Sequence, residues 1–229
     1  MGAFQIHSKT LMKKSLLLLA VSLVALQTSF ADWVVIQKAT TDGQTQEVSI
    51  KIKGDKTRMD LGQQMSMVAD GAAGNMVMLM HAQKMMMKMD AESLKSIMAM
   101  AGGAMGGSKP ADKPVATGQK EKVGSYDCEV YTWSGQIGTG KFWVAKDFPG
   151  YQELNAAQDK LMKAMGNPAA ALSPQASDFP GMVIKSEMTM MGKSTVSELV
   201  SAKEEKVEDS AFALPEGYQE MKMPAVPGK

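Results

Sequence analysis

A single cysteine, Cys128, and two histidines, His7 and His81, are all this 229-residue chain holds of those residue types. One thiol closes no internal disulfide, so a disulfide-stapled framework is excluded. Cys128 stands between Asp127 and Glu129. In a strand those neighbours point to the other face, and carboxylates nearby raise a thiol's pKa. The residue therefore reads as a buried structural cysteine rather than a nucleophile, an intermolecular partner being its other use. No His-Glu-x-x-His, Gly-x-Ser-x-Gly or Cys-x-x-Cys pattern occurs, and the chain is expected not to be an enzyme.

Long hydrophobic runs are equally scarce. The one run, Leu16 to Leu26, is too short for a comfortable membrane span, and it follows Lys13-Lys14 and precedes Ser29-Phe30-Ala31. A basic start, an apolar middle and small residues before a cut are the features of a secretory signal peptide. Residues 1–31 are read as one, cleaved after Ala31, with Met12 as the alternative start and an uncleaved anchor as the alternative fate. Asp32, not Cys, follows the cut, which excludes a bacterial lipid anchor on that residue. The expected location is the periplasm.

Charge of one sign is missing too. Removing Lys9, Lys13 and Lys14 leaves 22 basic residues against 24 acidic, a balance of −2. Bulk charge of that size recruits neither nucleic acid nor anionic lipid. At 198 residues, positions 32–229 are expected to form one domain with a real core.

What the chain has is methionine, 23 of them. Gln46 to Lys53 alternates with Val48, Ile50 and Ile52 on one side, turns at Gly54-Asp55, and returns as Lys56 to Leu61. A third strand starts at Met65. Between Met76 and Met89 the chain reads Met-Val-Met-Leu-Met-His-Ala-Gln-Lys-Met-Met-Met-Lys-Met. Folded at His81–Lys84, it sets Met80 opposite Met85, Met78 opposite Met87 and Met76 opposite Met89, with all six thioethers on one face. With a simple preceding loop, Met65 and Met67 lie beside Met78 and Met76.

Such a face is soft and polarisable. Ordinary core is one use of it. The use preferred here is a ligand-binding surface made by Met65, Met67, Met76, Met78, Met80, Met85, Met87 and Met89, taking a lipid, an acyl chain or an apolar protein partner. A third use is a copper site, Cu(I) on Met78, Met80, His81 and Met85, since thioethers plus one imidazole suit that ion.

After the ladder, Asp90 can cap a helix carrying Leu94, Ile97 and Met98, a candidate lid hinged at Gly102–Gly107. A Gly/Pro-rich loop is expected over 102–118. Strands resume at Ser125 to Trp133 and Lys141 to Lys146, and the stretch between resembles a phosphate-binding loop. However, Phe142 stands where Ser or Thr must hold magnesium, and Phe142-Trp143-Val144 continues as strand, so it is read as a hairpin turn. Pro149 precedes an amphipathic helix with Tyr151, Leu154, Leu161, Met162 and Met165 on one stripe. Met182 to Lys203 is read as a last hairpin around Gly192, and the tail beyond Pro215 offers little core material.

Four phrases in order, Lys53-Gly54-Asp55-Lys56-Thr57-Arg58-Met59, Gly124-Ser125-Tyr126-Asp127-Cys128-Glu129-Val130-Tyr131, Trp143-Val144-Ala145-Lys146-Asp147-Phe148-Pro149-Gly150 and Phe212-Ala213-Leu214-Pro215-Glu216-Gly217-Tyr218, resemble the exported bacterial family called domain of unknown function 4412. That family is in turn distantly similar to periplasmic outer-membrane lipoprotein carriers. The resemblance implies an α+β, mainly β, fold: a curved, incomplete antiparallel β-barrel with two or three helices covering an apolar face. It implies no catalytic residues.

Overall fold

The computed structural model describes residues 32–90, 92–93, 96, 111–164, 172–190 and 192–221. Twelve strands form one open, curved sheet: β1 (Trp33–Thr41), β2 (Gln44–Lys53), β3 (Lys56–Leu61), β4 (Met65–Asp70), β5 (Asn75–Met80), β6 (Met85–Met89), β7 (Val115–Val123), β8 (Tyr126–Gly135), β9 (Gly138–Ala145), β10 (Met182–Met190), β11 (Lys193–Glu204) and β12 (Gln219–Met221). Their order across the sheet is β12-β6-β5-β4-β3-β2-β1-β11-β10-β9-β8-β7. All neighbours run antiparallel except β12, which pairs in parallel with β6. Strands from both sides of the Gly/Pro-rich segment thus share one sheet.

One α-helix longer than a turn stands among the described residues, α1 (Tyr151–Ala164), where two or three were expected. Asp90 does accept the backbone N–H of Ser93 at 2.7 Å, and this bond holds its carboxyl below the usual range. Glu92, Ser93 and Ser96 are helical. Leu94, Ile97, Met98 and the Gly102–Gly107 hinge lie outside the described residues. No helix among the described residues is long and apolar enough to cross a membrane.

The expected loop over 102–118 is too long, because β7 begins at Val115, directly after Pro114. This strand was hidden by its composition. It is an edge strand, exposed along nearly its whole length, so neither face needs apolar alternation. β1 is missed in the sequence as well, although Asp42-Gly43 closes its hairpin with both residues at positive φ, 52° and 79°. Between β8 and β9 only Gln136 and Ile137 turn the chain, so the segment resembling a phosphate loop is a β-hairpin.

The core runs along the middle strands. Trp33, Val35, Ile50, Ile52, Ile184 and Leu199 are buried together with Leu154 of α1. β8 and β9 are buried on both faces, Cys128, Val130 and Trp143 on one and Tyr131, Phe142 and Val144 on the other, the latter packed against Phe179. Cys128 is 2 % exposed, and burial, then the Asp127 carboxylate, pushes its thiol up.

Gly150 fixes how α1 enters. Its φ is 70°, and a Cβ there would stand 2.7 Å from a Trp33 ring carbon. Gly150→Ala is therefore expected to cost at least about 2 kcal/mol, from left-handed backbone strain plus displacement of the indole. Urea denaturation measures it, and an unchanged midpoint would refute this account of the turn.

Candidate functional site

Three rows of side chains cross the sheet on the face that carries α1. The pairing registers give Trp33, Ile52, Thr57, Ala69, Met76 and Met89 as the first. Val35, Ile50, Met59, Met67, Met78 and Met87 follow as the second. Gln37, Val48, Leu61, Met65, Met80 and Met85 make the third. The hairpin pairing is the one the methionine spacing predicts. The neighbouring pairing differs from expectation by two residues: Met65 faces Met80, and Met67 faces Met78. β4 runs on to Asp70 and pairs it with Asn75, so a four-residue turn, 71–74, joins the strands where the expected pairing needs a shorter one, and Asp70 accepts the N–H groups of Ala72 and Ala73 there.

Burial divides the eight methionines. Met67, Met76 and Met89 pack with Ala69 and Leu161 of α1 and are buried. Met65, Met78, Met80, Met85 and Met87 are only half-buried. A strand face serving purely as core would bury all of them, since each half-covered thioether forgoes part of the transfer free energy its burial would give. The second row begins in a cleft of about 430 Å³, which Ile50, Met59, Phe142 and Met188 line on the sheet side and Leu161, Met162 and Ser173–Ala176 close over. The segment closing it is held to α1 by polar contacts. Asn155 Nδ2 donates to the carbonyls of Ala176 (2.9 Å) and Gly181 (3.1 Å), and Asp159 accepts the N–H groups of Ala176 and Ser177.

His81 does not join the methionines. Ser66 lies between Met65 and Met67 in β4 and so points to the opposite face, where its Oγ sits 2.7 Å from His81 Nε2. His81 Nδ1 is 2.6 Å from Tyr218 Oη. The expected four-ligand copper set of Met78, Met80, His81 and Met85 is therefore split between two faces, and both imidazole nitrogens are engaged. Among the described residues no group of three or more His, Cys, Asp and Glu side chains could hold a metal ion.

The network around His81 is the feature the sequence did not disclose. Ser66 Oγ donates to Asp60 Oδ1 (2.5 Å), Arg58 Nε donates to the same oxygen (2.7 Å), and Arg58 Nη2 donates to Ser66 Oγ (3.1 Å). Arg58 also reaches the Ala211 carbonyl. Serine, histidine and aspartate are all present, but not as a hydrolytic triad. The carboxylate of a triad orients the histidine's second nitrogen, whereas here Asp60 bonds the serine itself and Tyr218 takes Nδ1. Ser66 is also 1 % exposed, beyond a substrate's reach. The arrangement is a latch that ties the chain's last described segment to β3, β4 and β5. Tyr218 at its end gives the tail beyond Pro215 a structural role, and Gln219 N–H then donates to the Lys84 carbonyl to start β12.

Solved structures similar to this chain share little sequence with it. PNGF-II in its C2 crystal form is 13 % identical over 85 % of this chain with a TM-score of 0.40, and in its P21 form 12 % identical over 83 %, also at 0.40. The chain spans 31 % of the length of PNGF-II. A DUF1329 family protein from Desulfovibrio piger is 12 % identical, with 82 % of this chain and 91 % of that one covered, at a TM-score of 0.34. No curated protein matches. The family described as domain of unknown function (DUF4412) matches residues 33–218, from the first strand to the tyrosine of the latch, and this chain belongs to it.

Proposed function

We propose that this protein is an exported, periplasmic binding protein, its leader cleaved after Ala31, that holds a lipid, an acyl chain or an apolar partner on the methionine face rather than carrying out chemistry. The observation that supports this most is the division of burial: five methionines on one sheet face stay only partly buried, and the row that holds Met78 and Met87 begins in the cleft beside α1. Unbranched thioether side chains adapt to varied shapes, which suits a surface for chains of differing length. The placement of His81 on the opposite face favours an apolar ligand over copper.

Protein purified from periplasm is expected to carry co-purifying lipid by native mass spectrometry and to bind a fluorescent fatty acid. Met78→Lys combined with Met87→Lys should weaken that binding at least about tenfold, because a charge set on the apolar face must be desolvated when the ligand covers it. The melting temperature should fall by only a few degrees, since both sites are already partly open. A clean mass together with no probe binding would refute the proposal.

A further inference from the structure

An apolar ligand does not by itself call for methionine. Leucine, valine and isoleucine cover a hydrocarbon equally well, and the branched ones suit strands better. What a thioether adds is a sulfur that oxidises reversibly, turning an apolar side chain into a polar one.

The burial of the methionines is graded by row. Met76 and Met89 of the first row are 5 % and 7 % exposed, packed with Leu161 of α1. In the second row Met67 is buried, whereas Met78 and Met87 are partly open. In the third row Met65, Met80 and Met85 are all partly open. That row stands four residues along each strand from the first, about 13 Å from the one that α1 covers. It borders two short turns, 62–64 and 81–84, whose residues are mostly exposed, so a small solute reaches it from the end of the sheet. The register sets Met65 opposite Met80 and Met80 opposite Met85, with neighbouring Cβ atoms about 5 Å apart. The chain's one thiol, Cys128, is buried and does not compete for an oxidant.

We propose that Met65, Met80 and Met85 form a reversible oxidation site, at which an oxidant of the hypochlorous acid type converts the row to sulfoxides and thereby releases the ligand. At each sulfur an S–O bond forms as the O–Cl bond breaks; the sulfur gives up two electrons, and chloride and a proton leave. Two thiols reverse the step, ending as a disulfide while the oxygen departs as water. The release rests on the apolar-ligand proposal, and the oxidation itself does not.

In the test, residues 32–229 are treated with graded hypochlorous acid, digested with trypsin and mapped by fragment-ion mass spectrometry. Cleavage after Arg58, Lys84 and Lys88 leaves Met65, Met67, Met76, Met78 and Met80 in one peptide, Met85 and Met87 in a second and Met89 in a third. Met65, Met80 and Met85 should be oxidised at least about tenfold faster than Met76 and Met89, because exposure governs access to the sulfur. At the dose that converts the third row, binding of a fluorescent fatty acid should weaken at least about tenfold with the circular dichroism unchanged, since three sulfoxides must be desolvated under a hydrocarbon. Methionine sulfoxide reductases of both stereospecificities with a dithiol should restore it. The triple variant Met65→Leu, Met80→Leu, Met85→Leu should lose at most about twofold on the same treatment, whatever its starting affinity. Met86→Leu, at a partly buried methionine on the opposite face, should lose as much as the parent. Equal oxidation of all three rows overturns the site. Sulfoxides on the third row with binding unchanged overturn the release and leave the binding proposal standing. A probe that never binds the untreated protein removes the binding proposal and the release with it, and the order of oxidation then judges the site alone.

Discussion

Leu79→Ala is expected to destabilise the protein by about 3 kcal/mol and lower its melting temperature by roughly 10 °C, whereas Met78→Leu, one residue away, should change stability by less than about 1 kcal/mol. Leu79 is wholly buried, with Ser66 and Met86 as cross-strand neighbours on the face of the latch, and truncating it leaves a cavity that a sheet cannot collapse. Met78 sits on the other face, only partly buried, and leucine conserves its volume. Urea and thermal denaturation of the two variants measure the contrast. Equal losses would mean that both faces of β5 are core, and the binding surface would then have to be abandoned.

Asn155→Leu should cost about 1–3 kcal/mol and loosen the cleft as well. Asn155 is 4 % exposed, and its side-chain amide is the donor shared by the Ala176 and Gly181 carbonyls. Leucine fills a similar volume but takes that donor from the Gly181 carbonyl in a place water reaches poorly, a loss on the order of 1–3 kcal/mol, while the Ala176 carbonyl keeps the Phe179 N–H. The segment it holds carries Phe179, which packs on Tyr131 and Phe142. Limited proteolysis should therefore cut within 172–181 far faster in the variant. Unchanged cleavage with a loss below about 1 kcal/mol would show that Asp159 holds the segment alone.

The methionine hairpin was readable because every link in it is local. A strict period of two and a four-residue turn fix its register without help from the rest of the chain. The burial split within that face was not readable, since it depends on where Leu161, some 70 residues away, comes down on the sheet. β7 went unseen because an edge strand needs no apolar side, and the latch because Tyr218 and His81 are 137 residues apart. Nothing in Phe212–Tyr218 alone announces a partner in a turn between two methionine strands.

Only two of the sheet's pairings join strands that are not consecutive in the chain, β1 with β11 and β6 with β12. The molecule is in effect two meanders, β1–β6 and β7–β11, welded along a single ladder from Trp33 opposite Glu204 to Thr41 opposite Thr195. Within β1–β6 short turns keep closure entropy small, whereas in β7–β11 the step from β9 to β10 runs through residues 146–181 and carries α1. The weld must close a loop of more than 150 residues, and with the parallel pairing of β6 and β12 it carries most of the long-range ordering cost of folding. During synthesis the first meander emerges complete but with both flanks bare, β1 lacking β11 and β6 lacking β12. Its methionine edge stays open to wrong neighbours until the last residues of the domain have been made.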